Sequence, residues 1–410
     1  MKIFCTFAAD FKRNAMYKRK HASILESRLK KPRKLIQIIA GPPQTGKTTM
    51  VKQVLVETMK RYLFVTADEH SNKHASWIHD VWQQARQIME FDNCPEYILA
   101  IDDIHKIDNW SEVVKMEWEA DTAHGLNLKV VLLGSSRMLL KDGLTESLAG
   151  SYELTEMDYW SYAEMRDAFK FHVREYIYYG GYPGAAPYTH SQFRWSQYMT
   201  ENVMKPAIFE DVLMTKRVLK PQVMYDLFIR GCSHSGEMLS FHKIKEQIKS
   251  AGNSSTLANY LQVLEESHLV AAIQQYAAED ERKYKSIPKL QVFSSGMLSA
   301  MSMKNIYEVY SNLKEWEKRV ETAIGGYLLS NANKYKYKVY YWRQGNEEVD
   351  FVLKHSRHLV AIEIKKSRLK QNSGLTAFRE QFHPDVELLI DGEIMTIEQF
   401  LLLYLKKIFG

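Results

Sequence analysis

The stretch Gly41-Pro42-Pro43-Gln44-Thr45-Gly46-Lys47-Thr48-Thr49 constrains this chain more than any other. It follows the apolar run Leu35 to Ala40 and leads into Thr48 to Lys60, where Met50, Val51, Val54, Leu55 and Met59 recur at helical spacing. Strand, turn and helix in that order fit the pattern G-x-x-x-x-G-K-[ST], in which loop and first-turn N–H groups converge on phosphate oxygens and the helix dipole favours negative charge. All nine residues are then expected to line a nucleotide site. Gly41 and Gly46 permit the turn, Lys47 reaches the β- and γ-phosphates, and the Thr48 hydroxyl holds Mg²⁺.

Later segments supply what such a loop needs. Tyr97 to Ile101 is an apolar strand running into Asp102-Asp103. One carboxylate, Asp102, is expected to hold Mg²⁺ and the next, Asp103, to polarise an attacking water. Lys129 to Leu133 reads as a further strand ending in Gly134-Ser135-Ser136-Arg137. There Ser135 or Ser136 is either a γ-phosphate contact or a plain helix cap; Ser136 is carried forward as the nucleotide contact. Strands and helices alternate from 35 to 154, which predicts a parallel sheet covered on both faces.

At 410 residues the chain has room for two or three domains, and 45% hydrophobic with 25% charged residues excludes wholesale disorder. A formal net charge of +6 permits a phosphate-backbone partner without requiring one. Cys5, Cys94 and Cys232 lie too far apart for a zinc or disulfide framework, which points to a reducing cytoplasm. The N-terminus is a poor signal peptide and no apolar window is long enough to span a bilayer, so a soluble protein is expected. Residues 11–34, rich in Lys and Arg, read as a helical lead-in whose basic face is solvated rather than bound to phosphate.

Taken with Ile101 to Lys106, Leu133-Gly134-Ser135-Ser136, Ser147-Leu148-Ala149-Gly150 and Gly180-Gly181-Tyr182-Pro183, the loop makes the chain resemble the prokaryotic AAA+ type ATPases (AAA_14-like) that carry a C-terminal DUF4143 domain. The resemblance spans about residue 34 to 405. It implies ATP and Mg²⁺ as ligands, a winged-helix-like segment between the two domains, a restriction-endonuclease-like fold at the C-terminus, and sites commonly completed across a homo-oligomer. Two positions depart from the family. Asp103 stands where Glu is usual, a methylene short, which implies slow hydrolysis. Ser151 stands where an arginine often follows Leu-x-Gly; Arg137 and Arg166 are the substitutes on hand.

Between Met238 and Tyr276, helix, turn, helix and strand follow one another in winged-helix order. On a DNA-binding reading Lys243, Lys245, Lys249, Ser254, Ser255 and Asn259 face the nucleic acid; on the competing reading the segment is a packing module, favoured because the second helix carries few basic residues. Further on, Tyr340 to Leu353 reads as two strands around Gly345-Asn346, and Leu359 to Lys365 as a third. Asp350 followed by Glu363-x-Lys365 has the spacing of a PD-(D/E)xK nuclease, in which Asp350 and Glu363 bind Mg²⁺ and Lys365 activates water. Glu363 and Lys365 share a strand face. Glu321, on the amphipathic stretch Trp316 to Leu329, supplies a further metal-binding acid. Gln381 is an accessory candidate, and Trp342 is read as core beside a phosphate-contacting Arg343.

The expected architecture is therefore α/β: a basic lead-in (1–34), a P-loop core with a parallel sheet (35–155), a helical and winged-helix-like segment (156–285) and a nuclease-like α/β domain (286–410). The expected function is a Mg²⁺-dependent ATPase whose nucleotide state controls a C-terminal domain directed at DNA or RNA. The alternative is a slow ATP-dependent switch that binds DNA or a protein partner without cutting.

Overall fold

The computed structural model of the protein describes residues 17–69, 74–135, 148–212, 218–248, 252–277, 287–365 and 373–409. They form two compact units that meet in sequence between Asp158 and Tyr159.

In the first unit, helix α1 (Lys20–Lys30) precedes β1 (Ile36–Ala40), α2 (Lys47–Glu57), β2 (Tyr62–Thr66), α3 (Ser76–Phe91), β3 (Tyr97–Asp102), α4 (Trp110–Ala123), β4 (Leu128–Gly134) and β5 (Tyr152–Glu156). The five strands pair in the order β2-β3-β4-β1-β5, every pair parallel. This is the expected parallel sheet. Its three inner strands, β3, β4 and β1, are buried on both faces because successive side chains point to opposite layers, while the edge strands β2 and β5 are half-buried. Ile38, Leu99, Ile101, Val130 and Leu132 pack with Trp82 of α3 and Val114 of α4. On the other face Ile39, Ile98, Ala100, Val131 and Leu133 pack with Leu25 of α1 and Val51 and Val54 of α2.

Among the described residues of the basic lead-in, Lys18, Lys20, Lys30, Lys31 and Lys34 keep the expected solvated face, while Arg19, Arg28 and Arg33 turn inward as a brace. Leu25 and Leu29 are in the core, and the three arginines beside them bond within the unit itself. Arg19 donates to the carbonyls of Thr45 (3.3 Å) and Asp158 (3.0 Å). Arg28 donates to Thr155 Oγ1 at 2.8 Å, and Arg33 donates to three acceptors around Trp118 while its guanidinium lies 3.4 Å over that ring. Charge-assisted bonds to carbonyls and a cation–π contact use both the charge and the long stem of each arginine.

The second unit opens with α5 (Tyr162–Phe169), α6 (Val173–Tyr179), α7 (Gln192–Tyr198) and two π-helical turns, Met199–Met204 and Ala207–Val212. Then come α8 (Pro221–Ser233), α9 (Phe241–Gln247), α10 (Ser254–Glu266), β6 (Val270–Gln275), β7 (Lys289–Val292), α11 (Ser295–Ala300), α12 (Ile306–Ser311) and α13 (Leu313–Tyr335). β8 (Lys338–Gln344), β9 (Glu347–His355), β10 (His358–Ile364), α14 (Ser373–Phe382), β11 (Val386–Ile390) and α15 (Ile397–Leu402) complete it. One six-stranded sheet, in the order β11-β10-β9-β8-β6-β7, runs through the unit. The boundary expected at 285/286 falls inside this sheet, because β6 pairs antiparallel with β7 and parallel with β8. Helices α9 and α10 precede the β6/β7 hairpin in the expected order, and Met238 adds a bridge to Lys289. No described helix is long and apolar enough to cross a membrane.

Gly41 is fixed by close approach. A Cβ there would lie 2.0 Å from the carbonyl oxygen of Met157, the residue whose N–H bonds Ala40 at 2.7 Å. Gly46 meets nothing, but its φ of +85° is left-handed. Gly41→Ala should therefore destabilise the first unit by about 1–3 kcal/mol through overpacking, and Gly46→Ala by about 1 kcal/mol through backbone strain alone. Urea unfolding of the two variants checks the order; equal losses would contradict the steric account.

Candidate functional site

The parallel register aligns the carboxyl ends of the strands. Ala40 lies opposite Gly134 and Glu156, Ile101 opposite Leu132, and Thr66 opposite Asp102. Residues 41–49, Asp102, Asp103 and Ser135 consequently share one edge of the sheet, where open α/β sheets bind ligands. Ser136 and Arg137 lie outside the described residues.

The loop is held from within. Thr45, wholly buried, donates its hydroxyl proton to Pro42 O at 2.8 Å, while Gln44 and Gly46 both take positive φ. Gly46 caps α2, so the N–H groups of Lys47, Thr48 and Thr49 form the first turn of an eleven-residue helix. Lys47 Nζ donates to the carbonyls of Gly41 (2.9 Å) and Pro42 (2.8 Å), a position folded back on the loop. Thr48 Oγ1 donates to Asp102 Oδ2 at 2.6 Å, tying the loop helix to the end of β3 across the intervening β4.

Asp103 leaves β3 in a left-handed turn, φ 50°, and its N–H bonds Asp102 Oδ1 at 3.0 Å. Burial and the neighbouring Asp102 charge push the Asp103 carboxyl up to about 6, against the opposing pull of His105 and Lys106. Lys106 lies 3.8 Å from Asp103 Oδ2 and pairs with Asp68, beyond the end of β2. Burial works against the Asp68 carboxylate, yet the Lys106 pair lowers its pKa on balance. Asp68 and Lys106 escaped the sequence reading, although both sit just past strand ends already marked by their apolar runs.

The fit to a Mg²⁺ nucleotide is good on this geometry. Two hard oxygens, Thr48 Oγ1 and Asp102 Oδ2, face each other beside a helix N-terminus and a lysine. Ser151, by contrast, belongs to the other edge: its carbonyl accepts from Ile36 N, at the start of β1. An arginine at 151 would stand a strand length, roughly 16 Å, from the loop of its own sheet. Arg166 pairs with Asp167 in the second unit.

A second set of acids lies in that unit. With Ile362 opposite Phe351, Asp350 and Glu363 come onto neighbouring strands, as expected. Asp350 Oδ2 accepts from Ile364 N at 2.8 Å, and Glu363 Oε2 from Leu375 N at 3.1 Å, at the start of α14. Lys365 follows β10, its own N–H bonded to Ile390 O. Glu321, expected as a metal ligand, is instead paired with Lys289, a wholly buried lysine on β7. The described residues contain no group of three or more His, Cys, Asp or Glu side chains able to hold a metal. An ammonium among these carboxylates does not fit a divalent ion. Lys289 escaped notice because a lone lysine in an apolar strand looks like an edge residue; its partner lies on a distant helix. Trp342 is core, packed with Phe378, and Gln381 is exposed on α14.

Residues 33–166 match the family model described as an AAA domain. Residues 170–307 and 317–398 match two models described as domains of unknown function, DUF8612 and DUF4143. No curated protein sequence matches the chain. Similar solved structures include C. elegans PCH-2 (15% identity, 40% of this chain and 50% of that one, TM-score 0.30). AMPPCP-bound DnaA from Aquifex aeolicus is similar at 16% identity over 60% of this chain and 87% of that one, TM-score 0.33. ORC1 from Aeropyrum pernix, in complex with DNA, is similar at 13% identity over 71% and 92%, TM-score 0.31. The chain thus spans half the length of the PCH-2 chain. The match over 33–166, together with the parallel sheet and the phosphate-type loop, makes the first unit an AAA-type P-loop domain, carried in one chain with a DUF4143 segment.

Proposed function

We propose that the chain binds and hydrolyses ATP in its first unit and that the nucleotide state controls the second unit, a module directed at nucleic acid or a protein partner. The observation that carries this reading is the 2.6 Å bond between Thr48 Oγ1 and Asp102 Oδ2 at the mouth of the loop. Residues 41–49 wrap the phosphates with backbone N–H groups, and Lys47 swings from the loop carbonyls to the β- and γ-phosphates. Thr48 and Asp102 are the residues that would hold Mg²⁺, which when bound neutralises phosphate charge. Asp103, with its raised pKa, accepts a proton from water, and Ser135 or Ser136 orients the γ-phosphate. Asp103 is short for that task, so turnover is slow.

For the second unit, binding without cleavage is the better-supported reading, because Lys289 occupies Glu321. Helices α9 and α10 with the β6/β7 hairpin support a winged-helix reading, and Lys243, Lys245, Ser254, Ser255 and Asn259 are exposed on it; Lys249 lies outside the described residues. Cleavage by Asp350, Glu363 and Lys365 is the competing reading.

Steady-state ATP turnover tests the first unit. Lys47→Ala should abolish turnover, and Asp103→Asn should lower it by about 10²-fold, the usual worth of a general base. Wild-type turnover matched by Lys47→Ala would sink the assignment; nucleotide binding with turnover no faster than Asp103→Asn would reduce the protein to a switch. Reversing charge at Lys243 and Lys245 together should weaken DNA binding and flatten its salt dependence, as read by fluorescence anisotropy. Asp103 also makes a stability prediction. Its pKa is raised on folding, so its contribution is favourable below about pH 4 and is lost as pH rises through about 6. Without nucleotide and in EDTA, Asp103→Asn should be more stable than wild type at pH 7.5, by about 1–3 kcal/mol, with the gap closing at pH 4.

A further inference from the structure

Lys289 reaches into the second unit from β7, within the segment that matches DUF8612, whereas the acids around it belong to the segment that matches DUF4143. Its ammonium pairs with Glu321 Oε1, lies 3.8 Å from Glu348 Oε1 and donates to the backbone oxygen of Asp350 at 3.2 Å. The Phe351 ring centroid is 5.0 Å away. Lys289 is 0% exposed, Glu321 5% and Asp350 4%. A charge taken this far from water persists only when opposite charge and hydrogen-bond acceptors surround it. Burial alone would depress the lysine pKa, yet Glu321, Asp350 and Glu348 hold it raised.

Asp350 and, across from it on β10, Glu363 are each held by a backbone N–H. Asp350 Oδ2 accepts from Ile364 N and Glu363 Oε2 from Leu375 N. Gly374 wedges the start of α14 against β9 so closely that a Cβ would lie 2.0 Å from Glu348 O. Mg²⁺ or Mn²⁺ needs carboxylate oxygens at roughly 2.0–2.2 Å, and a second cation beside the ammonium would meet like-charge repulsion in a poorly screened interior.

We propose that Lys289 is the resident cation of this acidic centre, an internal ammonium standing where the Asp350 and Glu363-x-Lys365 pattern would lead one to expect a divalent metal. The DUF4143 segment is thereby joined to the preceding segment by a buried counter-charge, and it acts on its partner without metal-dependent cleavage. This inference is independent of ATP hydrolysis in the first unit.

The test uses the full chain without nucleotide, in an Asp102→Asn background so that the first unit's oxygens contribute no ion site. Mn²⁺ uptake is read by electron paramagnetic resonance and stability by thermal melting. With Lys289 in place, millimolar Mn²⁺ should neither bind at this centre nor shift Tm. Lys289→Met should lower Tm in EDTA by roughly 10 °C, as expected for one stranded partner of a buried pair. It should gain one Mn²⁺ that restores Tm, and adding Asp350→Asn should remove that gain. Should Lys289→Met fail to fold, the Lys289→Met/Glu321→Gln double variant should fold with a Tm near that of the parent and take up no Mn²⁺. Three results would overturn the proposal: Mn²⁺ binding or nucleic-acid cleavage with Lys289 present that Asp350→Asn abolishes; a Lys289→Met chain indifferent to metal and as stable as its parent; or a double variant as unstable as the single one.

Discussion

The 2.6 Å contact between the Thr48 hydroxyl and the Asp102 carboxylate is the interaction on which the first unit depends. Thr48 opens the helix that follows β1 and Asp102 ends β3, two strands separated in the sheet by β4, so they meet only if β1, β4 and β3 run parallel in one register. They also need a loop that turns tightly enough to start α2 directly above β1. Gly41, pressed against Met157 O, and Gly46, in the left-handed region, meet that need. Arg19 holds the loop from behind through Thr45 O, which gives the basic lead-in a structural task close to the site.

Two acidic centres in one chain show how counter-charge decides what a carboxylate does. In the first unit Asp102 faces a hydroxyl, with a helix N-terminus and Lys47 close by, an arrangement suited to an anion and a hard cation together. In the second unit comparable acids surround an ammonium that no solvent reaches. Residue type alone does not separate these cases. The identity and burial of the positive partner do.

Local pattern was legible in the sequence where local physics dominates. Leu35 to Ala40, the loop and α2 are contiguous, and the apolar strand ending in Asp102-Asp103 is marked by its own composition. The parallel sheet follows from alternation of elements. What escaped detection depends on partners far along the chain. Lys289 and Glu321 meet through β7 and α13, and β6 and β8 pair over a long separation, which moved the expected boundary at residue 285 into the middle of a sheet. Arg28 and Arg33 looked like solvent-facing charge because their acceptors come from β5 (Thr155), α4 (Trp118 and Thr122) and β4 (Leu128). Ser151 likewise gained meaning only from its place at the amino edge of the sheet, a strand length away from the loop.

The most direct test of the account is a structure of the chain with a Mg²⁺-bound, non-hydrolysable ATP analogue. The account predicts phosphates cradled by the N–H groups of residues 41–49, Lys47 Nζ released from the Gly41 and Pro42 carbonyls onto the β- and γ-phosphates, and the ion within roughly 2.1 Å of Thr48 Oγ1. A nucleotide bound elsewhere, or one at the loop with Lys47 still on its carbonyls and no ion at Thr48, would contradict it.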